Sequence, residues 1–241
     1  MGVIDGGRLL NDLRTLRRFG ESVSGVVRQS FSDEDMAARL WLLYLIAEAG
    51  LAAEIDGAGN VFGRSPNPGP ALILGSHSDT QPRGGWLDGA MGVVYAIEVA
   101  RTLRENPATS DLAIDTVAWS DEEGTYTSCL GSTSFVGELT DTELRHTNAD
   151  GETVAEALDR VGLGGVPTVH LEPDRHVGYL EAHIEQGPYL EENALRIGVV
   201  TSIVGIRSMR VTFTGEQNHA GTTPMHRRKD AGAAMFEFAV R

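Results

Sequence analysis

The stretch Gly75-Ser76-His77-Ser78-Asp79-Thr80 decides the fold, because it joins a short apolar run to a polar, glycine-rich loop. The four residues before it, Ala71-Leu72-Ile73-Leu74, have the length and composition of a buried β-strand. Asp88 follows later in the same loop. Such a strand would deliver His77, Asp79 and Asp88 to its C-terminal end, where open α/β sheets place their ligands.

The composition narrows the class of protein. The chain has 241 residues, 41% of them hydrophobic, which is enough for one large domain or somewhat more. Its net charge of −14, from 20 basic and 34 acidic residues, argues against a nucleic-acid or anionic-membrane partner. The single cysteine, Cys129, excludes an internal disulfide. Residues 1–16 hold no uninterrupted apolar stretch, so we expect neither a signal peptide nor a membrane span, and a cytoplasmic location.

Two further strand candidates end in polar side chains as the first one does. The near-continuous apolar run over 112–119 is followed by Asp121, Glu122 and Glu123, and a third candidate, over 179–184, contains His183. Helical spacing predicts two helices before the first strand, over about 9–19 and 33–49. It predicts three more between the strands, over about 90–103, 130–139 and 153–161. Strands that alternate with helices imply βαβ units, so we predict an α/β fold with a mostly parallel sheet.

Near Ile197 the alternation of strands and helices gives way to a different pattern. Two strand-like runs, over 197–204 and 208–213, precede a polar loop, and a final helix starts near Arg227 and is still running at the last residue. We therefore predict a catalytic domain over residues 1–205. The beginning of a smaller α+β domain, left incomplete by the end of the chain, is predicted over 206–241.

The three predicted strand ends bring potential metal ligands to one side of the sheet, namely His77, Asp88, Glu122, Glu123 and His183. Neutral imidazole and carboxylate are natural ligands of zinc and similar ions. A two-metal site needs more ligands than a one-metal site and usually shares a carboxylate between the ions. Of two adjacent glutamates, one can bind metal while the other moves the proton of the attacking water to the leaving nitrogen. The pattern favours a metal hydrolase.

Each of these residues also has a simpler interpretation. His77 could serve only to turn the chain, the two glutamates could lie on a solvated loop, and His183 could be a core or helix-capping imidazole. Their joint occurrence at the ends of buried strands favours the metal hypothesis.

Several ordered motifs resemble those of the di-zinc aminoacylase/carboxypeptidase clan. Within that clan they are similar to the hydantoinase/carbamoylase-type amidases, which include N-carbamoyl-L-amino-acid hydrolases, allantoate amidohydrolases and β-ureidopropionases. The resemblance extends over most of the chain, from about Leu9 to Arg241. It rests on the motifs at 75–80, 88–93, 121–124, 182–188 and 218–225.

The resemblance implies two divalent metal ions, zinc or else manganese, cobalt or nickel. His77 and His183 would bind the first ion, and Asp88 would bridge the two. Glu123 would bind the second ion, and Glu122 would be the general base.

The resemblance also implies roles around these ligands. Asp79 would orient the imidazole of His77, and Gln186 would hold the carboxylate or ureido end of the substrate. His219, on a ferredoxin-like lid that begins near Ile206, would reach the neighbouring subunit's site in a homodimer and stabilise the oxyanion. On the residues alone, His219 is a loop imidazole bonded to its neighbours.

The implied activity is hydrolysis of a non-peptide C–N bond in a linear ureido or amidine substrate, such as an N-carbamoyl-L-amino acid or allantoate. A further histidine ligand of the family, and an Asn and an Arg that grip its substrates, would lie beyond residue 241. Ser78 replaces a more usual Leu, and Tyr126-Thr127 stands where Arg-Phe is common. Two alternatives stay open: an aminoacylase or dipeptidase of the same clan, and a catalytically inactive fragment.

Overall fold

The computed structural model describes residues 3–205 and 209–240. This part of the chain forms two compact units, Met1–Gly187 and Pro188–Arg241. Its α-helices are α1 (Gly6–Arg18), α2 (Asp33–Glu48), α3 (Ala90–Glu105), α4 (Leu130–Phe135), α5 (Val154–Arg160), α6 (Tyr189–Glu192) and α7 (Ala231–Ala239). Its strands are β1 (Glu21–Ser22), β2 (Gly25–Val26), β3 (Ala52–Ile55), β4 (Val61–Arg64), β5 (Ala71–His77), β6 (Ala113–Trp119) and β7 (His176–Leu180). No described helix is long and apolar enough to cross a membrane.

A five-stranded sheet in the order β3-β4-β6-β5-β7 organises the first unit. Strand β5 is parallel to both of its neighbours, β6 and β7, whereas β4 is antiparallel to β3 and to β6. Four of the five strands therefore point the same way, which confirms the predicted α/β fold with a mostly parallel sheet. Because His77 pairs with Trp119, strands β5 and β6 end at the same level.

Helices α1, α2 and α3 contribute most of the main core. Helix α2 begins where predicted, because the Ser32 side chain accepts a hydrogen bond from the backbone N–H of Asp35. The core on this face of the sheet includes Leu16, Leu42, Ile46, Val93, Ile97 and Ala118. A second cluster contains Phe62, Ile73, Val117, Trp119 and Phe135. Successive residues of β6 enter different clusters, as the two-residue period of a strand requires.

Helix α2 contains a fully buried ion pair between Arg39 and Asp35. Nε of Arg39 lies 2.7 Å from Oδ2 of Asp35, and both side chains are 0% exposed. Arg39 also donates to the carbonyl of Gly59, and Oδ2 of Asp35 accepts the backbone N–H of Phe31. Such a pair compensates the large cost of desolvating two charges only if both partners keep their hydrogen bonds.

Strand β7 differs from its predicted range of 179–184. It covers His176–Leu180, and its last pair with β5 is Leu74 with Leu180. Beyond that pair the chain leaves the ladder, so His183 lies in an irregular segment. The carbonyl of Ala182 comes so close to Gly92 of α3 that an added Cβ there would lie 2.5 Å from it. At this point the segment therefore packs closely against α3.

The second unit, taken by itself, contains no strand among residues 188–205 and 209–240. The strand predicted over 197–204 is therefore wrong, and residues 209–213 of the other predicted strand also lack a partner. Residues 206–208 lie outside the described residues. Ile197, Val199 and Ile203 are 84%, 87% and 89% exposed, because no described residue of this unit covers them. An isolated pair of strands without a packed face is at best marginally stable. Our division of the chain after residue 205 stays a prediction.

Candidate metal centre

His77, Asp88 and His183 meet at the C-terminal edge of the sheet. His77 is the last residue of β5, Asp88 lies just before α3, and His183 follows β7. One ligand atom from each of the three lies within 4.8 Å of the others. Oδ1 of Asp88 is 3.2 Å from Nε2 of His183 and 3.9 Å from Nε2 of His77. The parallel strands thus assemble three of the predicted ligands.

Both imidazoles are oriented by backbone carbonyls. Nδ1 of His77 lies 3.0 Å from the carbonyl oxygen of Asp79, and Nδ1 of His183 lies 2.9 Å from that of Ile184. A carbonyl only accepts, so each Nδ1 carries a proton, and the Nε2 atoms of both rings lie on the side of Asp88, within 3.9 Å of its Oδ1. This arrangement of the second nitrogen is typical of metal-binding histidines.

The contacts of the Asp88 carboxylate indicate whether a cation would fit between the two histidines. Oδ1 is buried and accepts no hydrogen bond from any described residue, whereas Oδ2 accepts one from Nε2 of Gln186 at 2.8 Å. A buried carboxylate oxygen without a hydrogen bond is unfavourable unless positive charge lies close to it, and the Nε2 atoms of both histidines lie within 3.9 Å of this one. The residues therefore fit a divalent metal ion.

Asp79 is buried and joins the two loops that follow β5 and β6. Oδ1 lies 3.7 Å from Nδ1 of His77. Its carboxylate accepts the backbone N–H groups of Glu122 and Glu123 at 3.4 Å and 3.1 Å. Burial tends to raise the pKa of Asp79, but His77, Arg39 and these hydrogen bonds lower it below its ordinary value. Asp79 therefore stays ionised beside His77, as its predicted role requires.

Negative charge outweighs positive charge around His77. Burial alone would lower the pKa of His77, but the carboxylates of Asp79 and Glu122 raise it to about 9. Excess negative charge of this kind attracts a cation as well as a proton.

Glu122 and Glu123 point to different neighbours. Oε2 of Glu122 lies 3.6 Å from Nε2 of His77, and its side chain is 42% exposed. Burial raises the pKa of Glu122, and repulsion from Glu123 and Asp79 adds to the effect against the attraction of His77. Oε2 of Glu123 instead accepts a hydrogen bond from Nε2 of Gln81 at 2.7 Å. The structure thus places Glu122 beside His77, whereas Glu123 is turned towards Gln81, and neither glutamate belongs to the cluster of His77, Asp88 and His183.

Gly89, which lies within the 88–93 motif, packs its backbone against the ring of His77. Its φ is +61°, and a Cβ at this position would lie 2.4 Å from Nε2 of His77. Only glycine allows both the left-handed conformation and this close approach. The sequence Asp88-Gly89 shows a glycine beside a ligand, but not which ring it contacts.

A chain of hydrogen-bonded polar side chains on the β7 side of the site was not predictable from the sequence. The carboxylate of Glu181 accepts hydrogen bonds from the hydroxyls of Ser76 and Tyr179, the latter at 2.8 Å. Nε1 of Trp119 donates to the Tyr179 oxygen at 3.0 Å. These bonds connect the ends of β5, β6 and β7 directly beside His77 and His183. Ser, Tyr and Trp in strands carry no recognisable spacing, which is why they were missed.

His219 belongs to the second unit. Its Nδ1 accepts the backbone N–H groups of Gly221 and Thr222, both at 3.1 Å. These bonds agree with the simpler interpretation of His219, in which its imidazole only bonds neighbouring residues of its own loop. A role in binding substrate stays a prediction.

A cavity of about 440 Å³ borders Gln81 and Glu123. It is also lined by Tyr126, Asn148 and Arg160. The volume lies in the range of small-molecule sites. It leaves room for part of a substrate beside the predicted ligand Glu123.

A mostly parallel sheet with two histidines and an aspartate at its C-terminal edge is the arrangement that the motif resemblance leads us to expect of a metal-dependent peptidase or amidase. Peptidase family M28, a metal-dependent family, matches residues 60–161. The chain is 39% identical over 232 residues to the N-carbamoyl-L-amino-acid amidohydrolase of Paenarthrobacter aurescens, covering 93% of this chain and 56% of the relative. It is 37% identical over 253 residues to the ureidoglycolate hydrolase of Arabidopsis thaliana, covering 98% of this chain and 53% of that protein.

A solved structure is also similar to this chain. An amidase of the hydantoinase/carbamoylase family from Burkholderia phymatum matches with a TM-score of 0.85 and 53% identity, covering 100% of this chain and 60% of that one. The chain is similar over its whole length to amidases of the hydantoinase/carbamoylase family, which confirms the resemblance that its motifs predicted. It spans just over half the length of the two relatives above.

Proposed function

We propose that this chain carries the metal-binding and proton-transfer groups of a hydrolase that cleaves C–N bonds in linear ureido or amidine substrates. N-carbamoyl-L-amino acids and allantoate are the expected substrate types. The observation that carries the proposal is the buried, unbonded Oδ1 of Asp88, which faces Nε2 of both His77 and His183. The names of the relatives support the substrate class.

The proposed ligands divide between two divalent ions, zinc or else manganese, cobalt or nickel. His77, Asp88 and His183 would hold one ion, and Asp88 and Glu123 would contribute to the other. Bound ions of this kind polarise a carbonyl oxygen and make water a better nucleophile. To reach an ion, Glu123 would exchange its hydrogen bond from Gln81 for the metal.

Glu122 is the proposed general base. Its raised pKa suits a group that takes a proton from the attacking water and then donates it to the leaving nitrogen. Asp79 holds the backbone of Glu122 and so positions this carboxylate. Gln186, whose amide lies against Asp88, would turn to bind the carboxylate or ureido end of the substrate.

Three parts of the proposal concern the whole protein. His219 would contact substrate bound in the neighbouring subunit of a homodimer and donate to the developing oxyanion. The enzyme would act in the cytoplasm on a small molecule, without a nucleic-acid or membrane partner. The charge of −14 supports the exclusion of nucleic acid.

The test measures metal content and the release of free amino acid from N-carbamoyl-L-amino acids. It uses the chain as given and any longer reading frame that contains it. Glu122→Gln is the control, because it should keep the metal and reduce turnover about 10²- to 10⁴-fold. Near-normal turnover by that variant would refute the mechanism.

The match to a peptidase family favours one second candidate, an aminoacylase or dipeptidase. N-acetyl-amino acids and dipeptides therefore belong in the same assay. Cleavage of these compounds without cleavage of N-carbamoyl compounds would replace the ureido proposal. Metal binding without any cleavage would favour the inactive-fragment alternative.

A further inference from the structure

Arg28 is a completely buried cation behind the loop that follows β5. Its relative exposure is 0%, although it makes no ion pair within 4 Å among the described residues. Nε donates to the carbonyl of Ser78 at 2.7 Å. Nη1 donates to the carbonyls of Leu16 and Phe19 at 2.9 Å and 2.8 Å. One guanidinium thus connects the C-terminal end of α1 to the residue next to His77.

The backbone of Arg28 holds the same loop. Its N–H donates to Oγ1 of Thr80 at 3.0 Å, and its carbonyl accepts the N–H of Thr80 at 2.9 Å. Ser78 and Thr80 flank Asp79, so both neighbours of this carboxylate are tied to Arg28. The carbonyl of Asp79 in turn orients Nδ1 of His77. The direction of the metal-facing nitrogen therefore depends on the backbone that Arg28 fixes.

Three carbonyls and a helix end stabilise this buried charge. The carbonyls of Leu16 and Phe19 lie at the C-terminus of α1, the end of a helix that attracts cations. Burial lowers the pKa of Arg28 to about 10, while the carboxylates of Asp35 and Asp79 oppose the change. The side chain is therefore charged at neutral pH, and its hydrogen bonds to the carbonyls are charge-assisted.

We infer that Arg28 is a positioning residue for the metal centre. It fastens the His77–Thr80 loop to the end of α1 and so sets the orientation of His77 and Asp79 before any ion binds. The inference rests on the proposed function in one respect, because it takes His77 as a metal ligand.

The chain contains a matched control at the other end of the same strand. Arg175 is largely buried and bonds backbone carbonyls of the loop that precedes β5, at Ser65 and Asn67, both at 3.3 Å. It also pairs with Asp115 at 2.9 Å. Arg28→Met and Arg175→Met each remove one buried guanidinium from one end of β5. Only the first change affects the end that holds the metal centre.

The experiment has three readouts for wild type and both variants. Zn²⁺ affinity is measured by competition with a chelator, and the visible absorption of bound Co²⁺ reports the ligand geometry. Urea unfolding in the presence of chelator reports stability alone. We expect Arg28→Met to weaken Zn²⁺ binding at least tenfold and to alter the Co²⁺ spectrum. Arg175→Met should lower the urea midpoint but leave Zn²⁺ affinity within twofold.

Imidazole ¹H–¹⁵N NMR spectra keep the inference testable if the wild type binds no metal. They report the His77 ring directly, so a failure of the proposed function is seen separately from a failure of this inference. The His77 signals should move in Arg28→Met and stay in place in Arg175→Met. Unchanged His77 signals in Arg28→Met, or equal changes in both variants, would overturn the inference. Arg28→Lys is measured in the same way if Arg28→Met does not fold; it keeps the charge but cannot reach both Ser78 and α1.

Discussion

Oδ1 of Asp88 lies 3.2 Å from Nε2 of His183 and accepts no hydrogen bond. The amide of Gln186 occupies only the other carboxylate oxygen, Oδ2. The free oxygen and the imidazole nitrogen are therefore presented together to a cation.

Asp88→Asn should lower Zn²⁺ affinity more than about 100-fold, a larger loss than the change of a supporting residue gives. The amide is isosteric but carries no charge, so it cannot bridge two cations. Chelator competition measures the affinity. Asp150→Asn, an exposed change away from the three ligands, is the control. Unchanged affinity in Asp88→Asn would remove Asp88 from the proposed ligand set.

Gly89→Ala should displace the ring of His77, because the new Cβ would lie 2.4 Å from Nε2. We expect Zn²⁺ affinity to fall at least about tenfold. Gly137→Ala is the matched control, since Gly137 also has a left-handed φ, +77°, but has nothing within 4 Å of an added Cβ.

The control variant separates backbone strain from the contact with His77. Gly137→Ala should cost about 1–2 kcal/mol of unfolding free energy and leave Zn²⁺ affinity unchanged. Equal effects of the two alanines on affinity would show that strain alone is responsible.

Asp35→Ala should destabilise the first unit by about 3–5 kcal/mol, because it leaves the buried guanidinium of Arg39 without its partner. Replacing both residues, as Asp35→Leu with Arg39→Met, should cost less than the single change. Urea unfolding measures both variants. A double variant that is less stable than Asp35→Ala would contradict this account.

Glu152 gives a pH-dependent prediction. Its carboxylate accepts hydrogen bonds from Nε of Arg160 and the hydroxyl of Tyr126, both at 2.6 Å, and these bonds lower its pKa. Because the folded pKa lies below the unfolded one, the stabilisation is complete above the unfolded value of about 4.3. It is lost as the pH falls through the lowered folded pKa.

At pH 7 the melting temperature of Glu152→Gln should be about 2–4 °C below that of wild type, since the pair with Arg160 is partly exposed. The difference should shrink as the pH falls below 4. Thermal unfolding across this range measures it. In an Arg160→Met background, the effect of Glu152→Gln should be smaller at pH 7; an undiminished effect would exclude Arg160 as the cause.

The sequence predicted those parts of the fold whose patterns are local. Strands β5 and β6 were evident as continuous apolar runs, because parallel strands are buried on both faces. Ser32 is a typical N-cap residue, so the start of α2 could be predicted from it. The apolar run over 197–204 has the same strand-like composition but no partner strand, and composition alone cannot show that a partner is missing.

For the candidate site, too, the residues at the ends of strands were predictable and the contacts between distant segments were not. His77 and the glutamates at the end of β6 follow recognisable strands, so parallel topology places them together. The buried support was not predictable, since Arg28 and Glu181 act through contacts between segments far apart in the chain. Nothing in the local sequence around Arg28 distinguishes it from a solvated arginine.

The parallel pairing of β5 with β7 determines when the centre can form. The chain must complete α3, β6, α4 and α5 between His77 and His183, and contacts across such long loops form slowly. We therefore expect the proposed metal-binding geometry to be among the last features to form during refolding. The visible absorption of bound Co²⁺ could therefore report the time at which β7 pairs with β5 during refolding.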